Sequence, residues 1–142
     1  MTPLPEQELA KLADMAFQAR SATLVAITAE ESALRVQLAQ LAARDRADDV
    51  LDTPALYDAR RIGADVLWSV WLDNKRAELN RKLALVLARK ANEIKVLSRA
   101  FGRAEAANNL ARLAQAERQA KRAKTQEMRL EEQTLLALGT GR

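Results

Sequence analysis

Residues 72–97 read LDNKRAELNRKLALVLARKANEIKVL. Apolar side chains recur there in alternating steps of four and three residues, for example at Leu79, Leu83 and Val86. A repeat of 3.5 residues keeps one stripe of an α-helix facing a neighbouring helix, as in a coiled coil. The stretch therefore predicts a long helix that pairs with another helix.

The same spacing continues toward the C-terminus. The core positions predicted for this second arm are Leu72, Arg76, Leu79, Leu83, Val86, Lys90, Glu93, Leu97, Ala100, Ala104, Ala107, Ala111 and Ala114. Most of them are apolar, whereas a parallel series that begins at Asn74 is mostly polar. Alanine replaces the larger residues after Leu97, which predicts close helix packing with little buried area per residue.

A matching stripe runs through the N-terminal part of the chain. Its core positions are Ala13, Phe17, Arg20, Leu24, Ile27, Glu31, Leu34, Leu38, Leu41 and Asp45. In an antiparallel pair of helices, facing positions have a constant sum of residue numbers. Glu31 with Lys90 and Asp45 with Arg76 share one sum, so we predict two ion pairs in one register. That register leaves about 26 residues of the second helix unpaired, about 40 Å at 1.5 Å per residue.

Composition supports an all-α fold class. Aromatic residues make up 4% of the 142 residues, and there are only four glycines and three prolines. Pro54 and Gly63 are the expected interruptions, so we predict helices over about 5–48 and 64–137, with a helical start near 54.

We predict two long helices that form an antiparallel coiled-coil hairpin, with the second helix longer and overhanging. Residues 1–142 are one predicted domain, with a first arm over about 5–48, a tip over about 49–70 and a second arm over about 71–137.

The residue inventory excludes several kinds of chemistry. The chain has no cysteine and no histidine, which excludes thiol nucleophiles, Cys/His zinc sites and histidine acid–base catalysis. We therefore expect no enzyme activity and no cofactor. We also expect no membrane span, since no run of about 18 apolar residues occurs, and no secretory signal at the N-terminus.

An acidic cluster at the end of the first arm invites comparison with a divalent-metal site. It consists of Asp45, Asp48, Asp49 and Asp52. No glycine turns the chain into a closed loop of oxygen ligands, so we predict no metal. Because acidic residues are unfavourable at a helix C-terminus, we expect either an early end of the first helix or pairing of the cluster with Arg60, Arg61 or Arg76.

Charge is distributed unevenly along the chain. Residues 1–52 carry 5 basic and 9 acidic side chains, whereas residues 75–124 carry 14 basic and 4 acidic ones. The candidate partner-binding cations of the second arm are Arg112, Arg118, Lys121, Arg122 and Lys124. They form a solvated face, or they meet an acidic protein surface or nucleic acid. No aromatic residue lies among them to stack bases, which argues against single-stranded nucleic acid.

The predicted tip holds Tyr57, Trp68 and Trp71, followed by Leu72. Trp68 and Trp71 share one helix face because they are three residues apart. Tryptophan is common in binding hot spots. These side chains either close the end of the hairpin or form part of a partner site.

A two-arm antiparallel coiled coil with a longer, basic second arm and the pair Trp71-Leu72 early in that arm resembles the FliJ family. This family includes the YscO-like proteins and consists of stalk proteins of flagellar and type III secretion export, similar to the coiled-coil stalk of the rotary ATP synthase gamma subunit. The resemblance implies a cytoplasmic adaptor, associated with the inner membrane only through a partner. It implies that the overhanging basic end contacts the ring of the export ATPase and that the aromatic tip contacts the export gate.

Two other functions fit the same pattern. One is a basic coiled coil that binds nucleic acid, and the other is a self-associating scaffold or tail component in which the core stripes pair between chains. The sequence leaves a monomer and a homodimer both open.

Overall fold

The computed structural model describes residues 4–50 and 59–141, and the side chains of residues 4–47 and 63–141. Within that part, the chain consists of two helices and no strand. Helix α1 spans Pro5–Val50 (46 residues), and helix α2 spans Ala59–Gly139 (81 residues). Pro5 occupies the first helical position, where its missing N–H costs no hydrogen bond, and Glu6 and Glu8 lie at the positive end of the α1 dipole. The all-α class and the longer second helix are confirmed.

Gly63 does not interrupt α2, contrary to the sequence prediction. The helix begins at Ala59 and continues through Gly63, which has no positive φ. A single glycine costs a helix only about 1 kcal/mol relative to alanine, and the helix-forming residues around it outweigh that cost. The predicted helical start near Pro54 lies outside the described residues.

The described chain forms two structural units. The middle unit is Ala19–Leu97, and the terminal unit combines Met1–Gln18 with Ser98–Arg142. Each contains a piece of α1 and a piece of α2.

The core of the middle unit contains only predicted core positions. Its buried side chains are Ile27, Leu34, Leu41, Leu72, Leu79 and Val86, and Leu38 and Leu83 are half-buried against them. The comparison series from Asn74 is exposed at every position. A one-sided stripe on each helix therefore builds this core, as the 3.5-residue spacing predicts.

Two ion pairs confirm the register of the middle unit. Lys90 Nζ lies 2.7 Å from Glu31 Oε2, and Arg76 Nη2 lies 3.0 Å from Asp45 Oδ2. Both are the predicted pairs, and their order along the chain makes the two helices antiparallel. The register is thus set by opposite charges at the core positions where the apolar stripes are interrupted.

The terminal unit packs through alanine. Ala10, Ala104 and Ala107 are its buried residues. The Phe17 and Phe101 rings contact each other with centroids 5.7 Å apart and planes tilted by 58°, and Phe101 is 53% exposed. Residues 100–106 therefore contribute both a buried alanine, Ala104, and the aromatic contact of Phe101 to this unit.

Pairing with α1 extends further along α2 than the sequence predicts. Arg118 Nη2 donates a hydrogen bond to Glu6 Oε2 at 2.7 Å, whereas the predicted register ended the pairing near Arg112. The long arginine side chain spans the additional helical turn. All residues from Gln119 to Gly141 are exposed. The overhang of α2 is therefore about 21 residues, or about 31 Å at 1.5 Å per residue.

Candidate protein-binding surfaces

The overhanging end of α2, residues 119–139, is the first candidate surface. It is only the unpaired end of the predicted second arm, and from here on it alone is called the arm. Lys121 and Lys124 lie on one face of it because they are three residues apart, and Arg122 lies beside them. Within the part of the chain that the structure describes, no carboxylate pairs with these three cations. The arm therefore presents a group of cations that the hairpin itself does not neutralise.

Arg118 and Arg112 lie before the arm. The Arg118 guanidinium pairs with Glu6, and both side chains are about one-third exposed (33% and 35%). The hydrogen bond from Arg118 holds the pKa of Glu6 below its ordinary value. Arg112 is exposed and donates a hydrogen bond to the side-chain oxygen of Asn109. The predicted basic set thus divides into Arg118, which pairs with α1, the exposed Arg112, and the three arm cations.

Two stacked indoles form the second candidate surface. The Trp68 and Trp71 rings have centroids 5.0 Å apart and planes inclined by 14°. Their exposed fractions are 39% and 45%, and Val66, Leu67 and Val70 beside them are also exposed. The two stacked indoles thus form an exposed aromatic patch.

Leu72 does not belong to that surface. It is 3% exposed and packs in the core of the middle unit, because it occupies a core position of the 3.5-residue repeat. Tyr57, the remaining aromatic residue of the predicted tip, lies outside the described residues.

Asp45 is the one member of the acidic cluster whose side chain the structure describes. It pairs with Arg76, as the sequence predicts. The other members of the cluster lie outside the described side chains, as do Arg60 and Arg61. The described residues include no group of three or more acidic, histidine or cysteine side chains arranged to hold a metal ion.

A groove in the terminal unit is a third surface that sequence reasoning missed. Its volume is about 450 Å³, and its lining residues are Leu9, Leu12, Ala13, Ala16, Ala100, Arg103, Ala106, Ala107 and Leu110. Leu9, Leu12 and Leu110 are 51–63% exposed. The signal in the sequence is the placement of Leu9 and Leu110 directly beside alanine core positions, where small neighbours leave large side chains uncovered.

The described helices contain no stretch that is long and apolar enough to cross a membrane. Comparisons of the chain with protein-family models, with curated proteins and with solved structures found no match.

Proposed function

We propose that this chain is a non-enzymatic coiled-coil adaptor that acts as the stalk of a flagellar or type III protein-export apparatus. In this role the arm binds the ring of the export ATPase, and the patch of Trp68 and Trp71 binds the export gate. The observation that supports the proposal most is the arm itself, a continuation of α2 in which every residue is exposed.

The arm is suited to a protein partner on physical grounds. A helix of about 20 residues with few apolar contacts is only marginally stable in water. Helical continuity with the paired part of α2 supplies its nucleus, so the arm loses little conformational entropy when it binds. Lys121, Arg122 and Lys124 then attract a negatively charged surface and steer its approach.

The Trp68–Trp71 patch supports the second contact. Tryptophan side chains contribute strongly to binding energy when a partner covers them. The two indoles already hold each other in place by stacking, which lowers the entropic cost of ordering them in an interface. The proposal places the chain in the cytoplasm, near the inner membrane only through the gate.

The test of the arm is a binding assay with the purified export ATPase of the same organism. We expect the variant Lys121→Glu/Arg122→Glu to bind at least about tenfold more weakly, equivalent to about 1.4 kcal/mol. The matched control is Lys95→Glu/Arg99→Glu, which reverses two exposed charges of the same helix outside the arm. Equal affinity of the two variants, or no binding by the wild-type chain, would contradict the proposal.

Duplex DNA is the competing ligand in the same assay. If the arm bound nucleic acid, the affinity for DNA would fall steeply as salt is added. The slope of log binding constant against log salt concentration would steepen by about one unit for each neutralised phosphate. We expect no such binding. Strong, salt-sensitive DNA binding together with no ATPase binding would replace the adaptor by a nucleic-acid-binding coiled coil.

The test of the aromatic patch uses the soluble domain of the export gate. We expect Trp68→Ala/Trp71→Ala to lose binding to the gate and to keep binding to the ATPase. The control is Leu67→Ala, which removes an exposed side chain beside the patch. A gate affinity unaffected by the double substitution would exclude this surface.

A further inference from the structure

One face of α2 stays uncovered through the whole C-terminal part of the terminal unit. Residues spaced by multiples of about 3.6 share one face of a straight helix. The residues of this face that matter here are Leu110, Leu113, Glu117, Lys124, Met128 and Leu135. All of them are exposed, and the four apolar ones are 53–71% exposed. The face thus carries exposed apolar side chains on either side of a charged middle section that also includes Lys121. Uncovered apolar side chains of this kind indicate a partner.

The face is complementary to itself when it is reversed. If two copies of α2 run antiparallel about a twofold axis that passes between residues 120 and 121, Glu117 of one copy faces Lys124 of the other. Leu113 then faces Met128. A twofold axis repeats each contact, so these four residues form two ion pairs and two apolar pairs. In the same register Leu110 of each copy falls opposite Glu131 of the other. Neither Glu117 nor Lys124 makes an ion pair with another described residue, so both are available for this contact.

The same alignment places the end of the arm at the groove. Leu135 of one copy falls opposite Ala106 of the other, and Ala106 lines the groove beside Leu9, Leu12 and Leu110. The arm of the same chain cannot reach this groove, because α2 is one continuous helix from Ala59 to Gly139. The arm of a second copy, by contrast, reaches the groove in this alignment.

We infer that this face of α2, together with the groove, is an interface for a second copy of the chain, in which each arm lies in the groove of the other. Residues 103–138 span about 54 Å of helix, and a strip about 10 Å wide along them gives about 1,000 Å² over both copies. That area is near the lower limit for a specific interface. We therefore expect a weak dimer that forms at high protein concentration.

The inference does not depend on the proposed function. It differs from pairing of the core stripes between chains, because those stripes stay buried inside each hairpin. Since the arm takes part in it, a dimer and an ATPase-bound monomer would compete for the same surface.

Sedimentation equilibrium of the full chain tests the interface by charge exchange. We expect the wild type to approach twice its 15.7 kDa chain mass at about 100 µM, a concentration chosen to populate a weak dimer. Glu117→Lys alone and Lys124→Glu alone turn both ion pairs into repulsions, and each is expected to weaken the dimer at least about tenfold. An equimolar mixture of the two variants restores opposite charges at both places, so we expect it to regain the dimer.

A second pair of variants tests whether the dimer forms through this face of α2 and not through another exposed part of the helix. Leu113→Ser should abolish the dimer, whereas Leu85→Ser, at a similarly exposed leucine of the middle unit (63% against 66%), should keep it. Helix content by circular dichroism checks that all variants fold. A wild type that stays monomeric at this concentration, a mixture that stays monomeric, or loss of the dimer with Leu85→Ser would each overturn the inference.

Discussion

Lys90 Nζ lies 2.7 Å from Glu31 Oε2 at core positions that face each other in the middle unit. Glu31 is 8% exposed and also accepts a hydrogen bond from Arg35 Nε at 2.9 Å. The neighbouring core positions hold the apolar Ile27, Leu34 and Val86 and the buried Glu93. A charged pair inside an apolar stripe contributes little net stability, but it penalises any register that separates the charges. Glu31 and Lys90 therefore specify which layers of the two helices meet.

The first prediction concerns this pair. We expect Lys90→Leu to lower Tm by about 3–10 °C, because Glu31 loses its partner on the other helix and keeps only Arg35. The double variant Glu31→Leu/Lys90→Leu should melt at or above the wild-type temperature, since it replaces a desolvated ion pair by an apolar layer. Thermal unfolding followed by circular dichroism measures both.

The control for this pair is Arg89→Leu, which breaks the neighbouring contact between Arg89 and Glu30. Both of its side chains are about half exposed (57% and 49%), and exposed ion pairs contribute little. We expect a change of Tm below about 3 °C. A double variant that melts lower than Lys90→Leu would refute the register role of the pair.

The second prediction concerns pH. Hydrogen bonds from Lys90 and then Arg35 hold the pKa of Glu31 below its ordinary value of 4.5, and the bond from Arg118 does the same to the pKa of Glu6. A depressed pKa in the folded state means that the stabilisation is fully present above the unfolded value and is lost as pH falls through the folded value. We therefore expect stability to decline progressively below pH 4.5.

Urea unfolding midpoints measured between neutral pH and pH 2.5 test this expectation. Glu31→Gln cannot titrate at that position, so its midpoint should fall less steeply between pH 4.5 and pH 2.5 than the wild-type midpoint. Identical slopes for the two proteins would mean that Glu31 does not contribute to the acid sensitivity.

Much of the fold could be predicted because heptad spacing reports burial directly. Nearly every predicted core position is buried or half-buried, and the exception, Arg20, is 52% exposed in its side chain while it reaches Glu93 at 3.6 Å. The long arginine stem lets a charge leave a core position without disrupting the repeat.

The surfaces could be predicted less well. The groove depends on side chains of two helices that are about 90 residues apart in sequence, such as Leu12 and Ala106, and no local pattern reports their distance. The heptad spacing also could not show that Arg118 pairs with Glu6. That contact lies beyond the last apolar layer and depends on how far the long arginine side chain extends. The sequence placed the basic residues of the second arm in one group, and only the structure separates Arg118, which pairs with Glu6, from the arm cations.

The third prediction tests the one-sided core. Leu79 is 3% exposed, whereas Leu85 on the same helix is 63% exposed. We expect Leu79→Ala to lower the free energy of unfolding by about 2–3 kcal/mol, near the lower end for buried leucines because a two-helix core can partly close around the loss. Leu85→Ala should change it by less than about 0.5 kcal/mol. Urea denaturation measures both values, and similar losses for the two variants would contradict the assignment of the core face.

The fourth prediction concerns Gly102, which lies inside α2. A Cβ atom built at Gly102 has no neighbour within 4 Å, and no residue of the described backbone has a positive φ. Alanine loses less backbone entropy than glycine when a helix forms, so we expect Gly102→Ala to stabilise the chain by about 0.5–1 kcal/mol. Ala116→Gly, at another exposed position of the same helix, should destabilise it by a similar amount. Thermal and urea unfolding at neutral pH give both values. If Gly102→Ala instead lowered stability while Ala116→Gly behaved as expected, the backbone at Gly102 would need the freedom of glycine, and the continuous helix through this position would be contradicted.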